Sequence, residues 1–262
     1  MEKRLPGVYP STRKDNSIYY RSSLTYRRKH ISLGSFDSMI KAHAAYLEGY
    51  SVLNDSDYTI ADYSAHRILS LEKWVTLLNF RDNKIYFATP IYLHTNFFEY
   101  YLSSALILKF DIDDLFYYSS HKIMRRGNHY FVADYGMQVN IVNRYGIKNY
   151  AVMGRDYQFV NGDTTDYRYE NIEIYNTYHG VECIQQKGRI CYRTRLHING
   201  NHTVGIYQTA TEAAVAYNKA IDYAKKAGIS KDFAPNYMDE LSPSAYADLY
   251  ATLPISLRNL QS

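Results

Sequence analysis

Arg193 and Arg195 stand two residues apart, with Arg189 and Tyr192 before them and His197 after. On an extended strand, residues i and i+2 share a face, so both guanidinium forks would reach the same groove. Such a fork matches the O6/N7 edge of guanine and the oxygens of phosphate. From these residues alone, an ordinary solvated sheet face reads the same way. Near the other end Arg21 lies in a period-two stretch, where Tyr19, Arg21 and Ser23 alternate with Tyr20, Ser22 and Leu24. Arg27, Arg28 and Lys29 follow it and complete the best charged patch of that end. Lys122, Arg125 and Arg126, beside Gly127, make a third basic cluster that suits either a DNA backbone or a plain surface turn.

A different chemistry is suggested by Asn161-Gly162-Asp163 followed by Asp166-Tyr167-Arg168-Tyr169-Glu170-Asn171-Ile172. Asp163 and Asp166 are cation-capable groups, but turn formation is the simpler role. Arg168 either faces phosphate or pairs with a nearby carboxylate. His121, His129, His179 and His202 lack regular ligand spacing, and Cys183 and Cys191 have no ligand-spaced partners, so neither a metal nor another cofactor is expected. Pairing of the two cysteines across a hairpin is left open and is not needed.

The basic segments sit on elements that occur twice. Around 6–50 the chain reads Gly7-Val8, Tyr20-Arg21, Leu33-Gly34-Ser35-Phe36 and Ala44-Ala45-Tyr46; around 178–223 it reads Gly180-Val181, Tyr192-Arg193-Thr194-Arg195, Val204-Gly205-Ile206-Tyr207 and Ala213 to Tyr217. Each copy predicts three short strands and a helix. In the first copy the strands are expected near 6–10, 17–24 and 29–34, with a helix over 38–52 capped by Asp37 or Ser38. In the second they are expected near 179–185, 189–197 and 202–207, with a turn at Asn199-Gly200. Its helix is expected over 210–227, capped by Thr209 or Thr211 and stopped by Gly228. Between the copies the pattern predicts a helix over 66–78 and strands at 85–88 and 91–93. The aromatic run Phe97–Phe110 fits strand or helix equally. The proline-bearing tail from 231 is expected as a loosely helical extension over the domain surface.

The chain has 262 residues, 46% of them hydrophobic, which is enough for packed cores. Its 30 tyrosines against one tryptophan are unusual. Tyrosine packs in thin domains, stacks on bases or lines polar interfaces, and the first role is the commonest. Net charge is only +4, yet it is unevenly spread. Residues 1–50 carry a balance of +5, residues 51–177 of −3 and residues 178–262 of +2. Basic ends around a mildly acidic middle suit local nucleic-acid contacts rather than a uniformly cationic surface. No signal peptide and no apolar run near ~18 residues is read, so a cytoplasmic protein without a membrane partner is expected, nucleoid-associated if bacterial.

Both terminal segments resemble the Apetala-type, or ethylene-response-factor, DNA-binding domain. The motif residues are the Gly-Val pair, the arginine-bearing strands, the Gly-x-Phe/Tyr turn and the Ala-Ala-x-Ala-Tyr helix. The family's strand tryptophans are missing, and Tyr20 and Tyr192 stand where similar space would be filled. The resemblance implies that the three-stranded sheet lies in the DNA major groove. The stretch Asn161 to Ile172 resembles an HNH homing-endonuclease unit. That family places its general base, a histidine, where this chain has Phe159, and phenylalanine neither accepts a proton nor holds a metal. Asn140 is the nearest polar candidate for the family's earlier histidine. The resemblance therefore implies a nuclease fold whose chemistry has been lost, with Asn171 retained to order a loop.

These readings give an α+β chain: two small modules of a three-stranded antiparallel sheet packed on a helix, flanking a mixed α/β central region with an HNH-like unit. The expected organisation is an N-terminal Apetala-type module over 1–53, a connector of unassigned fold over 54–110, the degenerate HNH-like unit over 111–177, a C-terminal Apetala-type module over 178–230 and an extension over 231–262. The expected function is sequence-specific binding of double-stranded DNA, as a transcriptional regulator descended from a homing endonuclease and without enzymatic activity. DNA contacts are assigned to Arg21, Arg27, Arg28, Lys29, Lys122, Arg125, Arg126, Arg168, Arg189, Tyr192, Arg193, Arg195 and His197. The alternatives are an HNH-type endonuclease with an altered metal-dependent site, or an interaction or inhibitor protein of a mobile element that meets a protein partner through its central region.

Overall fold

The computed structural model describes residues 5–256. They form an α+β structure built on small antiparallel sheets, and the chain divides into two compact units. The first unit is Met1–Asn140 with Asp163–Tyr169; the second is Ile141–Gly162 with Glu170–Ser262.

The first unit begins with β1 (Val8–Thr12), β2 (Ile18–Tyr26) and β3 (Lys29–Phe36) in the order β1-β2-β3, followed by α1 (Met39–Asn54). Alternation puts Leu24, Ile31 and Leu33 on the helix side, where they meet Ala45, Val52 and Leu53. Ala42 and Ala45 are wholly buried, and their small side chains let the helix lie close on the sheet. Of the two cap candidates, Ser38 accepts from the Ile40 N–H (3.2 Å), whereas Asp37 pairs with Arg13 (2.6 Å).

The helix expected over 66–78 is displaced. α2 (Leu71–Asn83) starts after Ser70, whose hydroxyl accepts from the Lys73 N–H (3.3 Å), and it packs Trp74, Leu77, Leu78 and Phe80 beside α1. The strand expected at 85–88 does not form, because the Ile85 carbonyl is taken by Asn79 Nδ2 (2.8 Å) instead of a neighbouring strand. β4 (Ile91–Leu93) does form. The ambiguous aromatic run resolves into a hairpin, β5 (Phe97–Ser103) and β6 (Leu106–Asp111), next to β4. After α3 (Leu115–Ser120) come β7 (Met124–Arg126), β8 (His129–Asp134) and β9 (Met137–Asn140), the third three-stranded meander of this unit. Phe110 stacks between Phe98 (5.3 Å), Tyr118 (4.3 Å) and Tyr167 (5.6 Å), an aromatic core for this half of the unit. The loop 163–169 is held along β6 by two backbone hydrogen bonds, Lys109 N–H to Thr165 O (2.9 Å) and Tyr167 N–H to Lys109 O (2.8 Å).

The second unit opens with the small hairpin β10 (Tyr157–Phe159) and β11 (Ile172–Ile174). Buried Asn176 ties it to the module that follows, donating to Asp156 Oδ1 (3.1 Å) and to the Val181 carbonyl (2.7 Å). That module has β12 (Val181–Gln186), β13 (Arg189–His197), β14 (Asn201–Tyr207) and α4 (Ala210–Lys226). Thr209 and Glu212 close a reciprocal capping box at the start of α4. At its end Gly228, at φ +85°, donates to the Lys225 carbonyl while Ile229 donates to that of Ala224. The tail is more regular than expected: α5 (Pro243–Thr252) brings Tyr246, Leu249 and Tyr250 onto the α4 core.

The two copies share more than their element order. Both sheets slip register at the same place, between Ser22 and Ser23 in one and between Thr194 and Arg195 in the other. At that slip Ser23 N–H donates to Gly7 O (3.0 Å), and Arg195 N–H to Gly180 O (2.7 Å). Gly7 and Gly180 both have positive φ, and a Cβ on either would enter the ring of a helix tyrosine, Tyr46 or Tyr217. The Gly-Val and Ala-Tyr motifs are thus two sides of one contact.

Candidate nucleic-acid interface

In the first module the face away from α1 is carried by Arg21 at its centre. Arg21 is flanked across the strands by Tyr9 on β1 and Ser35 on β3. One step along, Ser23 faces Ser32, and then Thr25 faces His30. Tyr9, Arg21, Ser23, His30 and Ser32 line a groove of about 320 Å³. Its chemistry is one exposed guanidinium among hydroxyls and an imidazole, all able to donate to phosphate oxygens or base acceptors.

The other expected cations of this module do not join Arg21 in one patch. Arg27 and Arg28 form the two-residue turn between β2 and β3, both at positive φ, so they project at the sheet end. At ~3.3 Å per residue that end lies about 20 Å from Arg21. Lys29 pairs with Tyr26 and lies over the Tyr86 ring (5.2 Å), on the helix side of the sheet.

In the second module Arg193, Arg195 and His197 share the outward face, as the alternation predicts. The residue across from Arg193 on β12 is Glu182, and it decides the electrostatics. Arg193 reaches Glu182 Oε2 through Nε (3.1 Å) and Nη2 (2.7 Å), and Arg195 Nη2 reaches the same oxygen (2.6 Å). One carboxylate therefore fixes two guanidinium groups side by side and cancels one of their two charges. Ile206 lies on the other side of Arg193, and Thr203 lies opposite Arg195. His197 Nδ1 meets Asn201 Oδ1 at 3.1 Å. Arg189 stands exposed at the start of β13, next to the β12–β13 turn. Tyr192 lies on the helix side against the module core, where burial raises its phenol above its ordinary pKa, and it is not on the arginine face. Register puts Cys183 opposite Tyr192 and Cys191 opposite Ile184, so the thiols leave opposite faces and both are free.

The central cations are held by local partners. Lys122 pairs with Glu72 (2.6 Å). Arg125 on β7 donates from Nε to the Gly127 carbonyl (2.8 Å) and lies over Tyr130 (6.0 Å), with Arg126 exposed beside it. Of the two roles open to Arg168, the carboxylate pair is the one formed: Nε and Nη2 grip buried Asp166 at 2.9 and 2.7 Å.

In the hairpin of β10 and β11, Phe159 is paired with Ile172 and buried. Buried Asn171 orders the loop by accepting from the Asn161 N–H through Oδ1 (2.8 Å) and from the Val160 N–H through its carbonyl (2.8 Å). Asp163 forms a turn, accepting from the Thr165 hydroxyl (2.6 Å) and N–H (2.9 Å); the hydroxyl bond holds its carboxyl below the usual range. Among the described residues no group of three His, Cys, Asp or Glu side chains is placed to hold a metal ion. No described helix is long and apolar enough to cross a membrane.

Glu182, Tyr9, His30 and Ser32 are the face residues that sequence reading passed over. Strand alternation places them on this face only once the pairing register is known. The chain matches no family model, no curated protein and no solved structure.

Proposed function

We propose that this chain is a sequence-specific double-stranded DNA-binding protein, a transcriptional regulator that descends from a homing-endonuclease-like ancestor and lacks nuclease activity. The observation that carries this reading is the paired build. Two modules with the same strand order, register slip and glycine–tyrosine contact each put an arginine at the same point of the outward sheet face. A sheet face of this kind fits the major groove, where arginine reads guanine and hydroxyls take phosphate or base edges. Two modest contacts joined in one chain raise each other's effective concentration, so neither module needs high affinity alone. The duplication is internal, so the site read need not be a palindrome. The buried Phe159 at the general-base position supports the absence of nuclease chemistry.

Selection from a random duplex library at about 0.15 M salt without divalent metal tests the proposal. A two-part enriched motif is expected, with Arg21→Ala erasing one part and Arg193→Ala the other. Uniform recovery of all sequences overturns it. A second reading, a protein partner met through the central region, is favoured by one observation: Phe116, Tyr135 and Met137 are 85%, 97% and 64% exposed. A flat selection together with partner capture that Tyr135→Ser abolishes would turn the assignment to that reading.

A further inference from the structure

We propose that the first unit binds a small organic cation in a cavity between the 56–63 segment, α2 and the β4–β6 sheet. The cavity measures about 580 Å³. That lies within the range of about 300–1,000 Å³ typical of small-molecule sites. Leu78 and Ile107 contribute apolar surface, and Tyr92 and Tyr101 contribute rings.

The charges around the cavity do not cancel. Arg81 is committed to the fold: its Nη1 donates to the carbonyls of Val52 (3.1 Å) and Asp55 (2.7 Å), and its Nη2 to that of Tyr58 (2.9 Å). The same guanidinium grips Asp82 (2.6 and 3.2 Å), which also accepts from the Tyr92 hydroxyl (3.0 Å). Asp82 is therefore neutralised and held. Glu99 is not. Its Oε2 accepts from the Tyr101 hydroxyl (2.7 Å), while His94 Nε2 stands 3.2 Å away without the alignment of a hydrogen bond. Its Oε1 bonds to no described residue. Burial and the carboxylate keep the Tyr101 phenol protonated, so it is a fixed, uncharged donor.

The cavity thus offers one carboxylate oxygen beside tyrosine rings. An ammonium group fits both, through a charge-assisted hydrogen bond and the negative face of a ring, and its apolar body would cover the leucine and isoleucine. An anionic ligand would meet Glu99 with like charge and no free cation. This inference stands apart from DNA binding and needs neither sheet face.

Trp74 gives a local reporter. It is the chain's one tryptophan, fully buried, and its Nε1 donates to the carbonyl of Thr59, a cavity residue (3.0 Å). The full chain is titrated with 2-phenylethylamine, 2-phenylethanol and 3-phenylpropionate, which share a body and differ in charge, while Trp74 emission is followed. The expected result is saturation by the amine at a Kd at least ~tenfold below that of the alcohol, with no saturation by the carboxylate. Glu99→Gln keeps an acceptor for Tyr101 and should erase the amine preference. Ile107→Phe fills the space and should weaken amine and alcohol together. Equal response to all three probes, or no saturation by the amine up to about 10 mM, overturns the proposal. So does an amine preference that survives in folded Glu99→Gln. If that variant does not fold, the charge series on the unaltered chain and Ile107→Phe decide.

Discussion

The two sheet modules differ most in what faces the leading arginine. Arg21 has Tyr9 across the strand, and the position matching Arg195 is Ser23, so the first face carries one exposed guanidinium above a hydroxyl-lined groove. Arg193 has Glu182 across the strand, and the second arginine shares that carboxylate. Each face ends with one net positive charge from these positions. The first reaches it with a single exposed fork, and the second with two forks held side by side by one carboxylate. A free arginine can seek phosphate anywhere along a groove, whereas a pinned pair offers donors at set positions, which favours base discrimination over bulk affinity. The two modules share a backbone arrangement and differ in the chemistry displayed on it.

The largest effects should come from what the modules share. Gly180→Ala would push a methyl group into the Tyr217 ring and toward the Arg195 carbonyl, at a φ that disfavours side chains. Gly7→Ala meets the Tyr46 side chain first, also at a φ that disfavours side chains. Overpacking together with left-handed strain sets the cost at about 3 kcal/mol or more for either substitution. Thermal unfolding followed by Trp74 emission for the first unit, and by hydrogen exchange of α4 for the second, measures each separately. A large loss in one module and a small one in the other would break the structural equivalence of the copies.

The next effect sharpens the difference. Glu182→Gln should raise affinity for random duplex about tenfold at low salt, and steepen the slope of log K against log salt by about one phosphate contact. The discrimination between selected and random duplex should fall at the same time, and Glu182→Asp should restore part of it. Tyr9→Glu runs the exchange in reverse and should flatten the slope by a similar amount. An unchanged slope in both variants would mean that the facing residue does not set the behaviour of the module.

A smaller contrast lies beneath the sheets. Thr194, wholly buried, donates its hydroxyl to the Ala213 carbonyl (2.8 Å). Ser22 occupies the matching site, equally buried, and its hydroxyl meets no hydrogen-bond partner among the described residues. Removing a satisfied buried hydroxyl costs stability, while removing an unsatisfied one relieves a desolvation penalty. Thr194→Val should therefore cost about 1 kcal/mol, and Ser22→Ala should leave stability unchanged or raise it by up to ~1 kcal/mol. Losses of the same sign at both sites would show that Ser22 is served by a partner such as an enclosed water.

The repeat was legible because its motifs answer a steric need: a glycine under a tyrosine ring and alanines under a sheet are fixed by close approach, which leaves a mark in residue type. The outward arginines followed from period two. What stayed hidden depends on register. Glu182 is one acidic residue on a strand until pairing sets it across from Arg193. The separation of Lys29 from Arg21 likewise needs the turn at Arg27-Arg28 to be placed. The strand expected at 85–88 failed because apolar composition says nothing about where a carbonyl will bond, and Asn79 took that of Ile85. One face of the run from Phe97 to Phe110 is buried and the other half-buried, but apolar and aromatic residues occupy both, so composition masked the alternation.

The smallest predicted contrast is acid sensitivity. In the first unit Asp15 is held below its ordinary range by the Ser17 hydroxyl, Asp37 by Arg13, Asp62 by the Thr59 hydroxyl and Asp163 by the Thr165 hydroxyl. In the second unit Glu240, held by the Tyr178 hydroxyl, is the one carboxyl shifted this way among the described residues. A carboxyl that is more acidic when folded contributes stability above its unfolded pKa of about 4, and loses it as pH falls through the lower folded value. Acidification from about pH 5 to about pH 3 should therefore weaken the first unit more than the second. These groups are largely exposed, so the difference should be modest and should shrink with added salt. Asp37→Asn removes one contributor and should bring the acid profile of the first unit closer to that of the second. Trp74 emission for one unit and hydrogen exchange of α4 for the other give the two profiles in one sample. If they fall together, the contrast between the modules lies in what their faces display and not in how their folds are held.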